Sequence, residues 1–401
     1  MNNNIKLLFI VAIILLVITG IVLFFAFRQS PLGSGASGGV VGGGGDLPGD
    51  NNIVNNDRII KTPTGTITLA KPASEDEKKK LVQLSPDPAL GATINKDGNR
   101  VMFFKRGTGN LFETTLDGNG GETRLSNLTI KNIFEAKWSQ SKTYAAITSI
   151  NSSDVSNFWL HLTGTSTIQT GEFENKLLSF VFSPAEEKLA SFVKAGSQYS
   201  VSTSNPDGKN TKTIHSTQIP DFEIYWPSKT TLALKTKSSA FAPSLLETLS
   251  ISGGSPKVIA SGEMSFDIIW APDGIHYLAM STQNKGQNLK LSIRSLTASE
   301  KPIDTSFKTL PEKCVFSKKE KLTLFCAIPN TLGPNPLPDA WWQGKTQFQD
   351  QLWSLNASTG ELKLLLQGGG FDITNLFTSP NENYIFFINK KDSTLWSLRL
   401  I

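Results

Sequence analysis

The chain is poor in the residues that metal and acid–base chemistry most often uses, with 2 cysteines and 3 histidines in 401 residues. Four-ligand zinc sites draw on Cys and His at short spacings, and Cys314 and Cys326 have no such companions, so no metal site is expected. His161, His215 and His276 are scattered. None adjoins a Ser or Cys nucleophile with an acidic partner in a recognisable motif. His276, at the start of an apolar run, reads as a surface or rim residue. A P-loop, a Rossmann glycine pattern and a calcium loop are missing too. No cofactor and no catalytic residue is therefore assigned, although motif absence does not exclude a site assembled from residues far apart in sequence.

An excess of one charge is also lacking. Lys and Arg number 39 against 34 Asp and Glu, a net charge of +5 over the whole length. The one dense run, "EDEKKK" at 75–80, mixes both signs and reads as a solvated surface segment, so nucleic acid is not an expected partner. What the chain does hold is apolar material: 24 Phe, 8 Trp and 39% hydrophobic residues are enough for a sizeable core.

Residues 7–27 carry no charge and are flanked by Lys6 and Arg28. A helix of that length reaches roughly 30 Å, the thickness of a bilayer's hydrocarbon core. An uncleaved transmembrane helix is expected there, with residues 1–6 as a cytoplasmic tail. A cleaved signal peptide is the alternative, but its apolar region is usually shorter, and no small-x-small site follows "FFAFRQS" directly. The lipid bilayer is thus an expected partner, in a single-pass arrangement that leaves the rest of the chain outside the cytoplasm. Residues 28–58 are rich in Gly, Ser and Pro and read as a flexible linker, followed by an irregular approach segment at 59–79.

From there on the sequence repeats. Trp270, Trp226, Phe182, Trp138 and Ile94 lie 44 residues apart, and each opens the same phrase. The phrases read "WAPDGIHYLAM", "WPSKTTLALKT", "FSPAEEKLASF", "WSQSKTYAAIT" and "INKDGNRVMFF". Two further copies start at 316 and 378, after steps of 46 and 62 residues. Each phrase is the end of one strand, a tight turn and a second strand, because Pro, Asp and Gly supply turn dihedrals between β-branched and aromatic flanks. A second phrase, as in "QLWSLNASTGELKLLL" at 351, adds two more strands. Four strands in about 44 residues, seven times over, is the period of an all-β, seven-bladed β-propeller spanning 80–401. A β-solenoid has shorter repeats, and a sandwich does not keep a strict period over five copies. The last repeat supplies only two strands after its anchor. Residues 81–84 lie at the right offset before the first anchor to complete it by pairing with Thr394–Leu400, which avoids an open sheet edge.

The phrase "WAPDGIHYLAM", with "FSPAEEKLASF" and "TSPNENYIFFI", resembles the WSPDG-type signature of the TolB-like, WD-repeat-like β-propellers of bacteria. The "LWSL" strands at 352–355 and 395–398 fit the same pattern. The turns after Trp138 and Trp226 lack its Asp-Gly. The resemblance covers about residues 80–401 and implies a rigid platform for protein binding, here a module of the cell envelope. A carbohydrate-binding protein or an enzyme with its site at the channel mouth is the alternative.

Six of the eight tryptophans have places in the repeat and are expected as packing residues. Trp341 and Trp342 do not. They sit in an insert at 329–350, with Asp339 and Lys345 beside them, and these four are the candidate binding residues. Either the insert folds back and buries the pair, or the pair anchors a protein or glycan partner. Cys314 and Cys326 flank a hairpin turn near Lys319–Glu320 and lie close to opposite one another. They form a disulfide or pack as two small buried hydrophobes.

Overall fold

The computed structural model describes residues 59–62, 65–68, 80–152, 154–164 and 167–400. The apolar run 7–27 and the linker 28–58 lie outside the described residues. Among the described residues no helix is long and apolar enough to cross a membrane. The approach segment is not wholly irregular. Ile59–Thr62 pairs antiparallel with Gly65–Thr68, where Ile and Thr favour extended backbone.

The described part of 80–401 forms five four-stranded antiparallel sheets and one of seven strands. The seven-stranded sheet is two units fused through one 14-residue strand, Lys257–Trp270. Its first half pairs with Pro243–Ser250 and its second with His276–Gln283. Seven four-stranded blades result. In chain order their first strands are Ala89–Ile94, Ile133–Trp138, Leu177–Phe182, Phe222–Ser228, the second half of Lys257–Trp270, Cys314–Phe316 and Ile373–Thr378.

Second strands read as continuous apolar runs because both of their faces are covered. Phe103 and Phe104 are neighbours on one such strand, Phe386 and Phe387 on another, and all four are fully buried. A strand facing solvent on one side alternates instead. Seven hydrophobic clusters account for the seven blade-to-blade interfaces. One joins blades 1 and 2 through Leu90, Phe104, Ile133 and Ile147. The ring is shut by a cluster that sets Phe386, Ile388 and Leu395 of blade 7 against Ala89, Val101 and Phe103 of blade 1. Each fully buried Leu or Phe in these seams contributes roughly 1.5–3 kcal/mol.

The 44-residue phrase has a defined task in this packing. Trp138 donates its indole N–H across the seam to the Gly91 carbonyl at 2.7 Å. The Pro-Asp-Gly turn of blade 5 puts Gly274 at φ +66, where a Cβ would sit 2.3 Å from the Pro227 carbonyl oxygen of blade 4. Only glycine allows both that conformation and that approach. The last blade takes its fourth strand from upstream. Leu81–Ser85 pairs antiparallel with Thr394–Arg399 in the register Leu398↔Leu81, Ser397↔Val82 and Leu395↔Ser85. This is the strand that the truncated last repeat requires.

Candidate functional site

The first strand of each blade starts at the same end as the loop between its second and third strands, since antiparallel strands reverse at every turn. The insert at 329–350 is such a loop, and it is laid across this face from blade 4 to blade 7. Gln287 donates to the Pro334 carbonyl at 2.7 Å, and Ser265 donates its hydroxyl to the Leu337 carbonyl at 2.7 Å. A one-turn helix, Asp339–Trp342, follows. The Asp339 carboxylate accepts from the Ser239 hydroxyl at 3.0 Å and the Ala240 amide at 2.7 Å, both in the corresponding loop of blade 4. On blade 7, Lys390 donates to the Trp341 carbonyl at 2.7 Å.

The two tryptophans part company because successive residues on a helix point about 100° apart. Trp341 is buried, 1% exposed, stacked on Phe348, and its indole N–H lies 3.0 Å from both oxygens of Asp372. Trp342 is 40% exposed and donates its N–H to Glu312. So the fold-back reading holds for Trp341, while Trp342 stays on the surface. Asp339 ties down the insert, and Lys345 is exposed without a side-chain partner among the described residues.

Two ionic clusters lie beneath. In the first, the fully buried Lys313 ammonium meets Asp350 and Asp372 at 2.7 Å each and donates to the Ile373 carbonyl at 2.8 Å. It also faces the rings of Trp341 and Phe348 at 4.9 and 5.2 Å. Burial pushes Asp350 up to about 6, with Lys313 restraining the rise. In the second, buried Lys235 is 2.6 Å from Glu223 and 3.2 Å from Asp267, and the Tyr225 hydroxyl donates to Glu223 at 3.2 Å. Burial alone lowers Lys235, but Asp267 and Glu223 outweigh it and hold the ammonium above its usual range. Glu312 lies near the two carboxyls of this cluster. Burial, then Asp267, drives its carboxyl up to about 8, against the Trp342 N–H. Glu223 and Asp267 thus share the Lys235 ammonium, while the cation that opposes the rise at Glu312 is Lys313.

None of these seven charged residues was singled out from sequence, although a lysine inside "TLALKT" and an aspartate inside "SFDIIW" were signals of buried charge. His276 also departs from its expected exposed place. It is 6% exposed, and its ring nitrogens lie 2.6 Å from Asp273 and 2.8 Å from Glu300, so two carboxylates make burial tolerable. Burial raises Asp273, but the amides of His276 and Ile275 outweigh it and hold the carboxyl below its usual range. Among the described residues no cluster of His, Cys, Asp and Glu could hold a metal ion.

Cys314 and Cys326 are paired across the first two strands of blade 6 and joined as a disulfide, with Cα atoms 4.1 Å apart. Their sequence separation is 12. A loop of that size places the entropic contribution at roughly 3 kcal/mol, so reduction lowers the unfolding free energy by about that amount. Denaturant titration with and without reductant measures it, and coincident curves would count against a structural bond.

A ring of four-stranded sheets with its first strands innermost is a β-propeller. Solved structures agree. Oligogalacturonate lyase from Vibrio parahaemolyticus aligns with a TM-score of 0.57 at 11% identity, over 80% of this chain and 93% of that one. The Cps50 (Swd1) β-propeller domain of Myceliophteria thermophila aligns at 0.52 and 12%, over 80% and 100%. The tricorn protease aligns at 0.50 and 11%, over 79% of this chain and 34% of its own. No family model matches the sequence, and no curated protein does. At such identities the likeness shows the fold alone.

Proposed function

We propose that the protein is a membrane-tethered, extracytoplasmic binding module of the TolB-like kind, not an enzyme, and that the insert-bearing face takes a protein partner. One observation carries this reading: large apolar side chains stand exposed together on that face. Phe134 and Leu178, second residues of the first strands of blades 2 and 3, are 66% and 46% exposed. Phe241, in the blade 4 loop, is 59% exposed, and Trp342 joins them from the insert. Aromatic groups held in water on a rigid frame mark protein contacts. The tether rests on the charge-free run 7–27, and the side of the membrane on the disulfide, which persists in oxidising compartments.

Deleting the insert is a poor test, because it would also strip Lys313 of Asp350 and Trp341. Substitution is cleaner. The triple variant Phe134→Ser, Leu178→Ser, Trp342→Ala removes surface side chains and one hydrogen bond, from Trp342 to Glu312, so its stability should stay within about 1–2 kcal/mol of wild type. Crosslinked capture from cells should lose its partner. Undiminished capture by a folded triple variant would refute the proposed face.

A second reading is favoured by the convergence of Glu223, Asp267 and Glu312 beside Trp342. A carboxyl next to an exposed indole suits a carbohydrate, which stacks on the ring and hydrogen-bonds to the acid. Glu312→Gln separates the two readings: glycan binding falls if the cluster holds a sugar, whereas protein capture is unmoved.

A further inference from the structure

The opposite face, formed by the hairpin turns between first and second strands, has its own opening. A cavity of about 450 Å³ lies there, lined by turn residues of blades 1, 2, 3, 6 and 7. It adjoins a second of about 510 Å³ between blades 1 and 2, and both are lined by Asn95, Lys96 and Lys142.

Three lysines, Lys96, Lys142 and Lys318, line the first cavity. Among the described residues, none has an ion-pair or hydrogen-bond partner for its Nζ. Two glutamates line the same wall, and neither makes an ion pair with the three lysines. Glu187 accepts the Ser141 amide at 3.2 Å, and Glu186 lies 3.8 Å from Lys229. Glu382, just outside, takes the Ser317 hydroxyl and the Lys318 amide.

Lys142 also occupies a position its side chain does not favour. It is the fourth residue after its anchor, the place held in blades 1 and 5 by Gly98 and Gly274 at φ +77 and +66. Lys142 adopts φ +63 there. A left-handed conformation costs a non-glycine residue about 1–2 kcal/mol, and strained residues of this kind gather at functional sites. In blade 7 the equivalent Glu382, at φ +53, recovers that cost through its two hydrogen bonds to blade 6. The Lys142 side chain makes no hydrogen bond or ion pair among the described residues, although Glu187 lies near it. Burial, then the neighbouring Lys318, pushes its ammonium down to about 8, with Glu187 opposing.

We propose that this turn-face cavity is an anion-binding site in which Lys96, Lys142 and Lys318 together receive a phosphate- or carboxylate-bearing small molecule. An oxyanion placed among them relieves the repulsion between Lys142 and Lys318 and gives each ammonium a charge-assisted hydrogen bond. The site is on the face away from the insert and stands apart from the partner-binding reading.

The test is a thermal-shift titration of the purified full-length chain with pyrophosphate in one arm and citrate in the other, each against sodium chloride of equal ionic strength. Wild type is expected to show a saturable rise with at least one anion, and the stronger arm identifies phosphoryl or carboxyl chemistry. Lys142→Met and Lys318→Met should each weaken the apparent affinity about tenfold, as loss of one charged hydrogen bond does. Lys142→Gly, free of both strain and charge, should melt higher than wild type without ligand and lose the anion response. A rise that never saturates and is equal in wild type and variants is exclusion of the salt from the surface, and it overturns the proposal. Absence of any rise in both arms overturns it as well.

Discussion

Lys313→Met lowers the unfolding free energy by about 3–5 kcal/mol at pH 8, the penalty for leaving buried carboxylates without their cation. Asp350 and Asp372 are both essentially inaccessible, and the Lys313 ammonium is the group that touches each of them. The pH dependence follows from Asp350. Its folded-state value of about 6 lies above the roughly 3.9 of an unfolded aspartate. Between those values the folded chain binds more protons, so stability falls as pH rises through that window and stays lower above it. Without the ammonium, Asp350 rises further and the window extends upward. The deficit of the variant should therefore be largest at pH 8 and smaller at pH 5. Adding Asp350→Asn should recover part of it, since the amide oxygen still accepts the Ile373 N–H but carries no charge. Denaturant titrations at both pH values decide the matter. A loss below about 1 kcal/mol, or one equal at pH 5 and pH 8, would show that Lys313 is not the neutralising group.

Lys313 also explains why the insert belongs to the fold. Its ring contacts to Trp341 and Phe348, and the hydrogen bonds from both to Asp372, make the insert one wall of a buried ion cluster. What the insert presents outward, Trp342, is thus fixed by charges beneath it.

How far the sequence revealed this depends on the range of each interaction. The 44-residue anchors were legible because every seam repeats one local task, seating a bulky residue on the neighbouring blade. The missing fourth strand of blade 7 was legible because a sheet edge has to be covered. The fusion of blades 4 and 5 was hidden because Ser261 and Gly262 interrupt the apolar pattern and yet lie within one strand. The ionic clusters were hidden for another reason. Lys313 meets Asp350 and Asp372, 37 and 59 residues later, and no periodicity in either partner records the pairing. His276 shows an intermediate case. Asp273, three residues earlier in "PDGIH", was a local hint of its anchoring, whereas Glu300 came from a distant loop.

The largest effect of all is expected at the closure of the ring. Removing residues 1–85 takes away the outer strand of blade 7 and exposes the Leu395–Leu398 edge. Leu84 leaves a buried site in the seam between blades 7 and 1, and Leu81 and Val82 leave half-buried ones. With roughly 1.5–3 kcal/mol for Leu84 and about 1 kcal/mol for each ladder hydrogen bond, the loss exceeds about 5 kcal/mol. That is comparable with the whole stability of many domains. The shortened chain should be aggregated or open, with the free edge recruiting other strands. Failure to fold alone would be ambiguous, so the complementary variant matters more. Val82 and Ser397 are register partners, and the native cysteines already bond to each other. Val82→Cys with Ser397→Cys should oxidise to a staple closing a loop of over 300 residues. Such a loop is worth on the order of 5 kcal/mol against unfolding. Mass spectrometry shows whether the staple forms, and denaturant titration shows what it adds. A soluble, monomeric chain lacking residues 1–85 with unchanged stability, or a staple that forms without adding any, would mean that the ring is held shut by its seams alone.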